Sequence, residues 1–146
     1  MTQIKDYDCR MAVQLDPGAY MPERAHESDA GYDIRAPYDF RLDAGDARSI
    51  NSGVHIEIPD GYVGFLKSKS GLNVMWSITG EGVIDAGYTG PITVKLYNDG
   101  NCAKIFERGD KIIQLVILPV FTPELIQVEE LSDTERGANG FGSTGR

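Results

Sequence analysis

Apolar and polar residues alternate in several segments of the chain, with the period of a β-strand that buries one face. The clearest case is residues 92–96, which read Ile-Thr-Val-Lys-Leu. Residues 54–58 show the same period before a Pro-Asp-Gly turn, and residues 9–15 show it more loosely before Asp-Pro-Gly. Because turn-forming residues end these segments, the pattern predicts strands joined by tight turns.

Other segments are apolar enough to form strands without strict alternation. Residues 112–118 are the most apolar and are rich in β-branched side chains, which predicts a central buried strand. Residues 73–78 fit either a short helical turn or a strand. Further strands are expected at residues 28–36, 62–66 and 125–128 with Leu131.

A glycine-rich stretch, residues 82–90, precedes the alternating segment 92–96. Glycine permits positive φ and a close approach of the backbone to a ligand, so the two segments predict a β-hairpin with Asp85 and Tyr88 near its tip. A carboxylate and an aromatic ring presented together suit a binding site. A plain turn capped by the aspartate explains the same residues.

Three polar features lie on or beside predicted strands. Residues 67–72 carry two lysines, two serines and a glycine, which suits an anion-binding turn or a solvated basic loop. Asp33 lies in a strand, where it either satisfies turn amides or serves a site. Gln114 lies inside the apolar segment 112–118, and its amide needs partners, as a structural clamp or as a ligand contact.

Composition limits the classes of function. The chain has 146 residues, of which 41% are apolar and 25% are charged, as expected for a single globular domain. The net charge of −8 disfavours broad binding to nucleic acid or to an anionic membrane. A small anionic ligand would need a local set of donors and a divalent cation to offset the overall field.

The sequence does not predict export of the protein, and it does not predict a chemical role for the cysteines or histidines. The N-terminal residues are too polar and acidic for a signal peptide, so a cytoplasmic location is expected. Cys9 and Cys102 lack the spacing of metal ligands and are given no role. His26 and His55 each stand alone and are expected to be surface residues rather than metal ligands or general bases.

Residues 133–146 differ from the rest of the chain. They contain four glycines, one aromatic residue and no periodic apolar face, which predicts an arm that is mobile without ligand. A disordered tail fits the same composition. Phe141, however, is accompanied by glycines, hydroxyl groups and arginines, a set suited to stacking on a base while binding phosphate oxygens.

Five segments, in this order, resemble the five motifs of the trimeric dUTP diphosphatase (dUTPase) family. They are residues 30–36, 68–72, 82–90, 108–115 and 136–145. The resemblance implies an all-β, jelly-roll-like distorted β-barrel over residues 1–132 and a flexible Gly-rich arm, residues 133–146, that closes over the active site. It also implies a homotrimer with active sites at the subunit interfaces.

The resemblance further implies an enzyme that hydrolyses dUTP to dUMP and pyrophosphate with Mg²⁺ as its cofactor. Such an enzyme limits the incorporation of uracil into DNA and supplies dUMP for thymidylate synthesis. Its expected location is the cytoplasm of a bacterium or of a phage-infected host, without membrane contact or direct nucleic-acid binding.

Residues that match the family's motifs receive implied roles. Asp85 would orient or deprotonate the attacking water, and Tyr88 would pack under the deoxyribose and exclude a ribose 2′-hydroxyl. Ile84 belongs to the hairpin whose backbone would read the uracil edge, and Asp33 would hold the metal through water. Phosphate contacts are implied for Lys69, Ser70, Gly71 and Gln114.

The arm would supply the rest of the site. Phe141 would stack on uracil, and its neighbour Gly142 would also contact the substrate. The terminal phosphate would be bound by Arg136, Ser143 and Thr144. Ordering of the arm on the substrate would exclude water and complete the site, which is a lid mechanism.

Four positions depart from the family's usual motifs. Lys69 stands where arginine is usual, which keeps the charge but loses the bidentate fork, and Ser68 stands where proline is common. Gly87 replaces a frequent aspartate, and Pro91 replaces a common glutamate.

Two other functions remain compatible with the sequence. A dCTP deaminase belongs to the same superfamily, but the glutamate that its chemistry needs has no matching segment. A regulatory binding protein is the second alternative, since some phage members of the family bind regulatory partners.

Overall fold

The structure is a computed structural model that describes residues 9–142 and 144–145. No helix in that part of the chain is long and apolar enough to cross a membrane. Its elements are β1 (Val13–Leu15), β2 (Gly31–Arg35), β3 (Phe40–Leu42), β4 (Ala47–Asn51), β5 (Val54–Ile56), β6 (Tyr62–Lys67), α1 (Ser70–Trp76), β7 (Ile78–Ile84), β8 (Thr93–Asn98), β9 (Lys104–Phe106) and β10 (Lys111–Pro119).

The strands form one large sheet and two small ones. The large sheet has the order β2-β10-β6-β7-β8-β4, and the small sheets pair β1 with β5 and β3 with β9. Every pair is antiparallel. The curled sheets close around one core as a jelly-roll-like, distorted β-barrel, which confirms the predicted fold class.

Alternating burial explains why these segments became strands. In β8 every second residue is buried, and Ile92, Val94 and Leu96 all lie inside the barrel. The apolar segment 112–118 became β10, which lies between β2 and β6 and contributes Ile112, Ile113 and Leu115 to the core. The predictions for the alternating segment and for the central strand are therefore confirmed.

The predicted strand at residues 125–128 is wrong. Leu125, Ile126 and Val128 are 91%, 76% and 56% exposed, and after β10 the described residues contain no further strand. An apolar segment forms a strand only where a neighbouring strand and a core are within reach, and this chain offers neither at that point. Two boundaries also change: the first strand shortens to Val13–Leu15, and the undecided segment lies in α1 and the start of β7.

The predicted hairpin is present, but its two strands separate toward the tip. The first part of β7 pairs with β8, with Ile78 opposite Asn98. The last part of β7 pairs instead with β6, with Ile84 opposite Gly64. Because β7 changes its partner, residues 85–92 form a wide loop at the barrel surface rather than a tight two-residue turn.

Candidate active site

Four polar residues stand side by side on the outer face of the large sheet. Asp33, Gln114, Lys67 and Glu81 occupy register positions across β2, β10, β6 and β7. Lys67 donates a hydrogen bond of 2.8 Å to the Glu81 carboxylate. Strand register therefore assembles residues that are far apart in the sequence into one polar row.

Asp33 lies at the β2 end of this row, and both of its carboxylate oxygens are bound by lysines. Lys69 Nζ donates to Oδ1, and Lys111 Nζ lies 3.1 Å from Oδ2. Burial by itself raises the pKa of Asp33, but the hydrogen bonds and charges of the two lysines outweigh burial and lower the pKa below its ordinary value of 3.8. The carboxylate is therefore held in its charged form.

Gln114 links the row to the turn that follows β6. Its Nε2 donates a hydrogen bond of 3.0 Å to the Ser68 carbonyl oxygen. The rest of its side chain lies over Gly31, where an added Cβ would be 2.0 Å from the Gln114 Oε1. Gln114 is thus a structural clamp in this structure, and we call Asp33, Lys69, Lys111 and Gln114 together the Asp33 cluster.

Side chains of the basic turn at residues 67–72 form hydrogen bonds within the protein, so the turn is not a simple solvated loop. The Ser68 hydroxyl donates to the Gly80 carbonyl oxygen at 3.1 Å and accepts from the Gly80 N–H at 3.0 Å. The lysines on either side of Ser68 are engaged by carboxylates, as described above. Ser70 and Gly71 follow at the start of α1, where both are exposed. The turn is held firmly, and its outer part faces solvent.

Asp85 opens a tight turn at the start of the wide loop. The Tyr88 N–H donates to the Asp85 carbonyl oxygen at 3.2 Å, and φ is +86° at Gly87 but not positive at Ala86, which is the pattern of a type II turn. Glycine at this departure from the family motif suits that geometry. Ile84 anchors the turn in the core, while Asp85 is exposed and has no side-chain partner within the described residues.

Tyr88 is held against its own loop. Its hydroxyl donates to the Pro91 carbonyl oxygen at 2.9 Å. Its ring lies over Gly90, where an added Cβ would be 2.6 Å from the hydroxyl oxygen. The ring remains 45% exposed, so one side is available to a ligand.

The Asp33 cluster and the Asp85 turn lie apart in a single copy of the chain. Gln114 is in register with Lys67 and Glu81, and Asp85 lies four residues beyond Glu81, directly after the end of β7. Four residues of extended strand correspond to about 13 Å. The structure therefore assembles the predicted phosphate residues in one place and the predicted catalytic residue in another.

The arm residues are not brought to either place. Arg136 Nε donates to the Asn139 carbonyl oxygen at 2.8 Å, and the Gly137 N–H donates to the Thr134 hydroxyl at 2.9 Å, so these contacts are local. Phe141 is fully exposed. Gly142 and Thr144 are also exposed, and Ser143 lies outside the described residues.

The polar row offers Asp33 as its candidate contact for a magnesium ion. No group of three or more His, Cys, Asp or Glu side chains in the described part of the chain is placed to hold a metal ion. Mg²⁺ is commonly bound by one or two carboxylates together with substrate phosphates and water. Asp33 is ionised, and each of its oxygens can accept a second hydrogen bond. Because its side chain is only 5% exposed and a lysine lies on each oxygen, a magnesium ion carried by a triphosphate would contact Asp33 through water rather than directly.

Two residues of this region were missed by sequence reasoning. Lys111 contacts Asp33 from 78 positions further along the chain, and only the β2–β10 register reveals this. His55 was expected to be a simple surface residue, as His26 is, but both of its ring nitrogens have partners. Its place beside Val54 and Ile56, which pack into the core, was a weak signal of a fixed environment.

These features define a jelly-roll-like β-barrel with a charged cluster on its sheet, an exposed Asp-Tyr turn and a glycine-rich arm. A family model described as dUTPase matches residues 18–145. Because the match covers most of the chain, the protein belongs to the dUTPase family.

Proteins named deoxyuridine 5′-triphosphate nucleotidohydrolase are similar over most of the sequence. The one from Thermobifida fusca is 42% identical over 136 residues, which cover 90% of this chain and 76% of the relative. The one from Tropheryma whipplei strain Twist is 41% identical over 136 residues, with coverage of 90% and 93%.

Solved structures agree with the fold. The dUTPase of Staphylococcus bacteriophage 80alpha with dUpNHpp has a TM-score of 0.90 and 36% identity, covering 94% of this chain and 99% of that chain. It is described in connection with control of the transfer of virulence genes. A variant dUTPase of phage phi11, described as revealing the coordination of a structural Mg(II) ion, has a TM-score of 0.79 and 34% identity, with coverage of 85% and 99%.

Proposed function

We propose that this protein hydrolyses dUTP to dUMP and pyrophosphate with Mg²⁺. The observation that carries the proposal is the combination of the Asp33 cluster and the exposed Asp85–Tyr88 turn on a barrel of the dUTPase family. The reaction limits the incorporation of uracil into DNA and supplies dUMP for thymidylate synthesis.

Asp85 and Tyr88 are proposed to handle the water and the sugar. The Asp85 carboxylate is exposed and has no cationic partner among the described residues, so it is available to orient or deprotonate a water molecule. Tyr88 is held by Pro91 and lies over Gly90, and a ring fixed in this way supports one face of a deoxyribose and leaves no room for a 2′-hydroxyl. The backbone that begins at Ile84 would read the uracil edge.

The phosphates are proposed to bind along the row and the turn that follows β6. Lys69, Ser70, Gly71 and Gln114 would contact phosphate oxygens, and Asp33 would contact the metal through water. Bound magnesium supplies charge neutralisation and orientation of the triphosphate. Lys69 then offers a single ammonium charge rather than the bidentate fork of an arginine.

Catalysis in this scheme comes mainly from positioning. In-line attack of water on a phosphorus atom needs an oriented nucleophile and donors for the negative charge that develops, and it needs no covalent intermediate. Asp85 provides the first requirement, and Lys69, Gln114 and the arm provide the second. The net charge of −8 is offset locally by these donors and by the metal.

The arm is proposed to be a separate functional unit. Residues 1–132 would form the catalytic barrel, and residues 133–146 would close over the site. Phe141 would stack on uracil beside Gly142, and the terminal phosphate would be bound by Arg136, Ser143 and Thr144. The full exposure of Phe141 supports this role, because the ring is free to stack on a ligand.

A homotrimer with sites at the subunit interfaces is also proposed. The separation of about 13 Å along β7 means that one copy alone does not join the Asp33 cluster to Asp85. Val116, Phe65 and Val83 form an apolar row in register on the outer face, lining a groove of about 280 Å³. This face and the apolar residues of segment 120–131 are suited to burial against further copies.

We further infer a cytoplasmic location, which suits two free, exposed cysteines.

Release of pyrophosphate from dUTP, dTTP, dCTP and UTP in Mg²⁺, with an EDTA control, tests the proposal. Release from dUTP alone, abolished by chelation, is the expected result. Activity on dCTP would instead favour a deaminase-related enzyme. Binding of dUTP without any release would overturn the hydrolytic proposal and favour a regulatory binding protein.

A further inference from the structure

The His55 side chain connects the wide loop to the turn that follows β1. It lies on β5, and its Nδ1 is 2.7 Å from the Thr89 carbonyl oxygen. Its Nε2 is 3.0 Å from the Asp16 Oδ1. The two partners belong to different parts of the chain, one just after β1 and the other directly beside Tyr88.

Both partners of the imidazole are hydrogen-bond acceptors. A carbonyl oxygen only accepts, and an ionised carboxylate only accepts, so each ring nitrogen must carry a proton for both bonds to form. A neutral imidazole has a single N–H and satisfies one partner only. The geometry at Asp16 and Thr89 therefore selects the imidazolium form of His55.

The remaining surroundings of His55 leave Asp16 as the charged group that faces it. Gln14, its cross-strand partner on β1, is neutral. On the loop side the contact is a main-chain carbonyl, and the neighbouring Tyr88 hydroxyl is engaged with Pro91. Glu57, two positions further along the chain, is exposed just beyond the end of β5.

Asp16 is itself fixed, so the bridge has a firm anchor. The Asp16 N–H donates to the Gly53 carbonyl oxygen at 2.8 Å, and its own carbonyl oxygen accepts from Ala19 at 3.0 Å. At the other end of the loop the Ile92 N–H donates to the Val54 carbonyl oxygen at 2.8 Å. Thr89 is therefore held to β5 by the His55 side chain, next to a main-chain bond at Ile92.

We propose that His55 is a positioning residue of this site, an imidazolium that ties Thr89 to Asp16 and thereby sets the position of the Tyr88 ring. The inference rests on the proposed sugar-binding role of Tyr88. The bond to Thr89 and the bond to Asp16 both raise the pKa of His55 above its ordinary value of 6.5. The bridge is thus complete below about pH 6.5 and is lost as the pH rises through the raised folded-state pKa.

Three variants separate the two bonds of the bridge. His55→Asn places an amide N–H near the position of Nδ1 and keeps a donor for Thr89 at every pH. His55→Phe keeps a ring and removes both donors. Asp16→Asn removes the charge that favours the imidazolium. His26→Gln is the matched control, because His26 is the exposed histidine outside the bridge.

NMR spectra of ¹⁵N-labelled protein test the bridge without enzyme activity. At pH 6 we expect both ring nitrogens of His55 to be protonated, and we expect the amide signals of Tyr88 and Thr89 to titrate with the same midpoint. The midpoint falls in Asp16→Asn, and the titration of Tyr88 disappears in His55→Asn. A neutral His55 at pH 6, or Tyr88 signals that ignore its titration, would overturn the proposal.

Kinetics then test the positioning role. Loss of one hydrogen bond to the loop is expected to raise KM for dUTP by roughly tenfold in His55→Phe and to weaken rejection of UTP, while kcat changes less. His55→Asn restores both values, and His26→Gln leaves them unchanged. Equal KM values in His55→Phe and the parent protein contradict the positioning role, as does failure of His55→Asn to restore them. If the parent protein does not hydrolyse dUTP, the proposed function fails, and the NMR result still decides whether the bridge exists.

Discussion

Asp33 and Asp85 are both candidate functional carboxylates, and the fold treats them in opposite ways. Asp33 lies buried on β2, with a lysine on each oxygen and a pKa below its ordinary value. Asp85 stands exposed in a type II turn, and its carboxylate has no partner among the described residues. The fold itself supplies the partners of the Asp33 carboxylate. The Asp85 carboxylate gains partners only when a ligand or another copy of the chain binds.

This difference separates a region that affects both stability and function, the Asp33 cluster, from regions that affect mainly function, the exposed turn and the arm. Removal of a buried partner leaves charges unpaired inside the folded protein, so changes in the Asp33 cluster should alter stability as well as function. The side chains of the exposed turn and arm contribute few contacts to the barrel, so their removal should alter function at nearly constant stability. The variants and controls that follow test this contrast.

Asp85→Asn is expected to have the largest effect. Loss of a carboxylate that orients or deprotonates water should lower kcat by about a thousandfold, with the melting temperature unchanged. The measurements are steady-state hydrolysis of dUTP and calorimetric binding of a non-hydrolysable dUTP analogue. Binding should persist. A variant that keeps full turnover would remove Asp85 from the mechanism.

Deletion of the chain from Gly137 onward is the second test. Without Phe141 and the residues that follow it, activity on dUTP should fall by about a hundredfold, because water is no longer excluded from the site. Thermal unfolding should be unchanged, since the contacts of this segment are local. Ala138→Ser serves as a control inside the arm. A normal rate in the deleted protein would contradict the lid.

Asp33→Asn should change stability, unlike the two changes above. It leaves Lys69 and Lys111 without a carboxylate, at a cost of about 2 kcal/mol in the free energy of unfolding. The pKa of Asp33 is lowered on folding, so its contribution is complete above pH 3.8 and is lost as the pH falls through the folded-state value. Denaturant unfolding between pH 3 and 7 should show less acid sensitivity in the variant.

Glu81→Gln is the control for that experiment. It removes the exposed ion pair with Lys67 from the same row of residues, and pairs of this kind contribute little because water screens them. Equal stability losses in Asp33→Asn and Glu81→Gln would remove the distinction between the buried cluster and the exposed surface.

Apart from the control at Glu81, Gly87→Ala should have the smallest effect. An L-residue at φ +86° is strained, at a cost of about 1 kcal/mol, although no atom lies within 4 Å of the added methyl group. Gly61, with φ +85° and equally open space, is a matched control in another turn. Both alanine variants should lose similar stability in denaturant unfolding, but only Gly87→Ala should raise KM. A KM effect in Gly61→Ala would show that the assay reports general destabilisation.

The fold could be predicted where the pattern of side chains reports local burial. The segment 92–96 alternates strictly and the segment 112–118 is continuously apolar, and both became strands of the core sheet. Residues 125–128 have similar composition, but within residues 9–142 and 144–145 no strand lies beside them, so the same pattern gave a wrong prediction there. The partner of β7 could not be predicted, because its change from β8 to β6 depends on how the whole sheet curls.

The site was predictable as a set of residues and not as a set of contacts. Asp33, Lys69 and Gln114 were singled out from their motifs, and the structure brings them together. Lys111 and His55 were not, because their partners depend on strand register and on a loop that packs against another strand. The functional roles of the predicted site residues stay predictions.

The contact between Tyr88 and Gly90 has a consequence for protein engineering. The ring occupies the space that any side chain at position 90 would need, with only 2.6 Å between the hydroxyl oxygen and an added Cβ. A library that varies the sugar pocket one position at a time would therefore discard variants at position 90, because each of them displaces the Tyr88 ring. Productive redesign of this pocket requires joint variation of both positions, with a smaller residue at 88 wherever 90 gains a side chain.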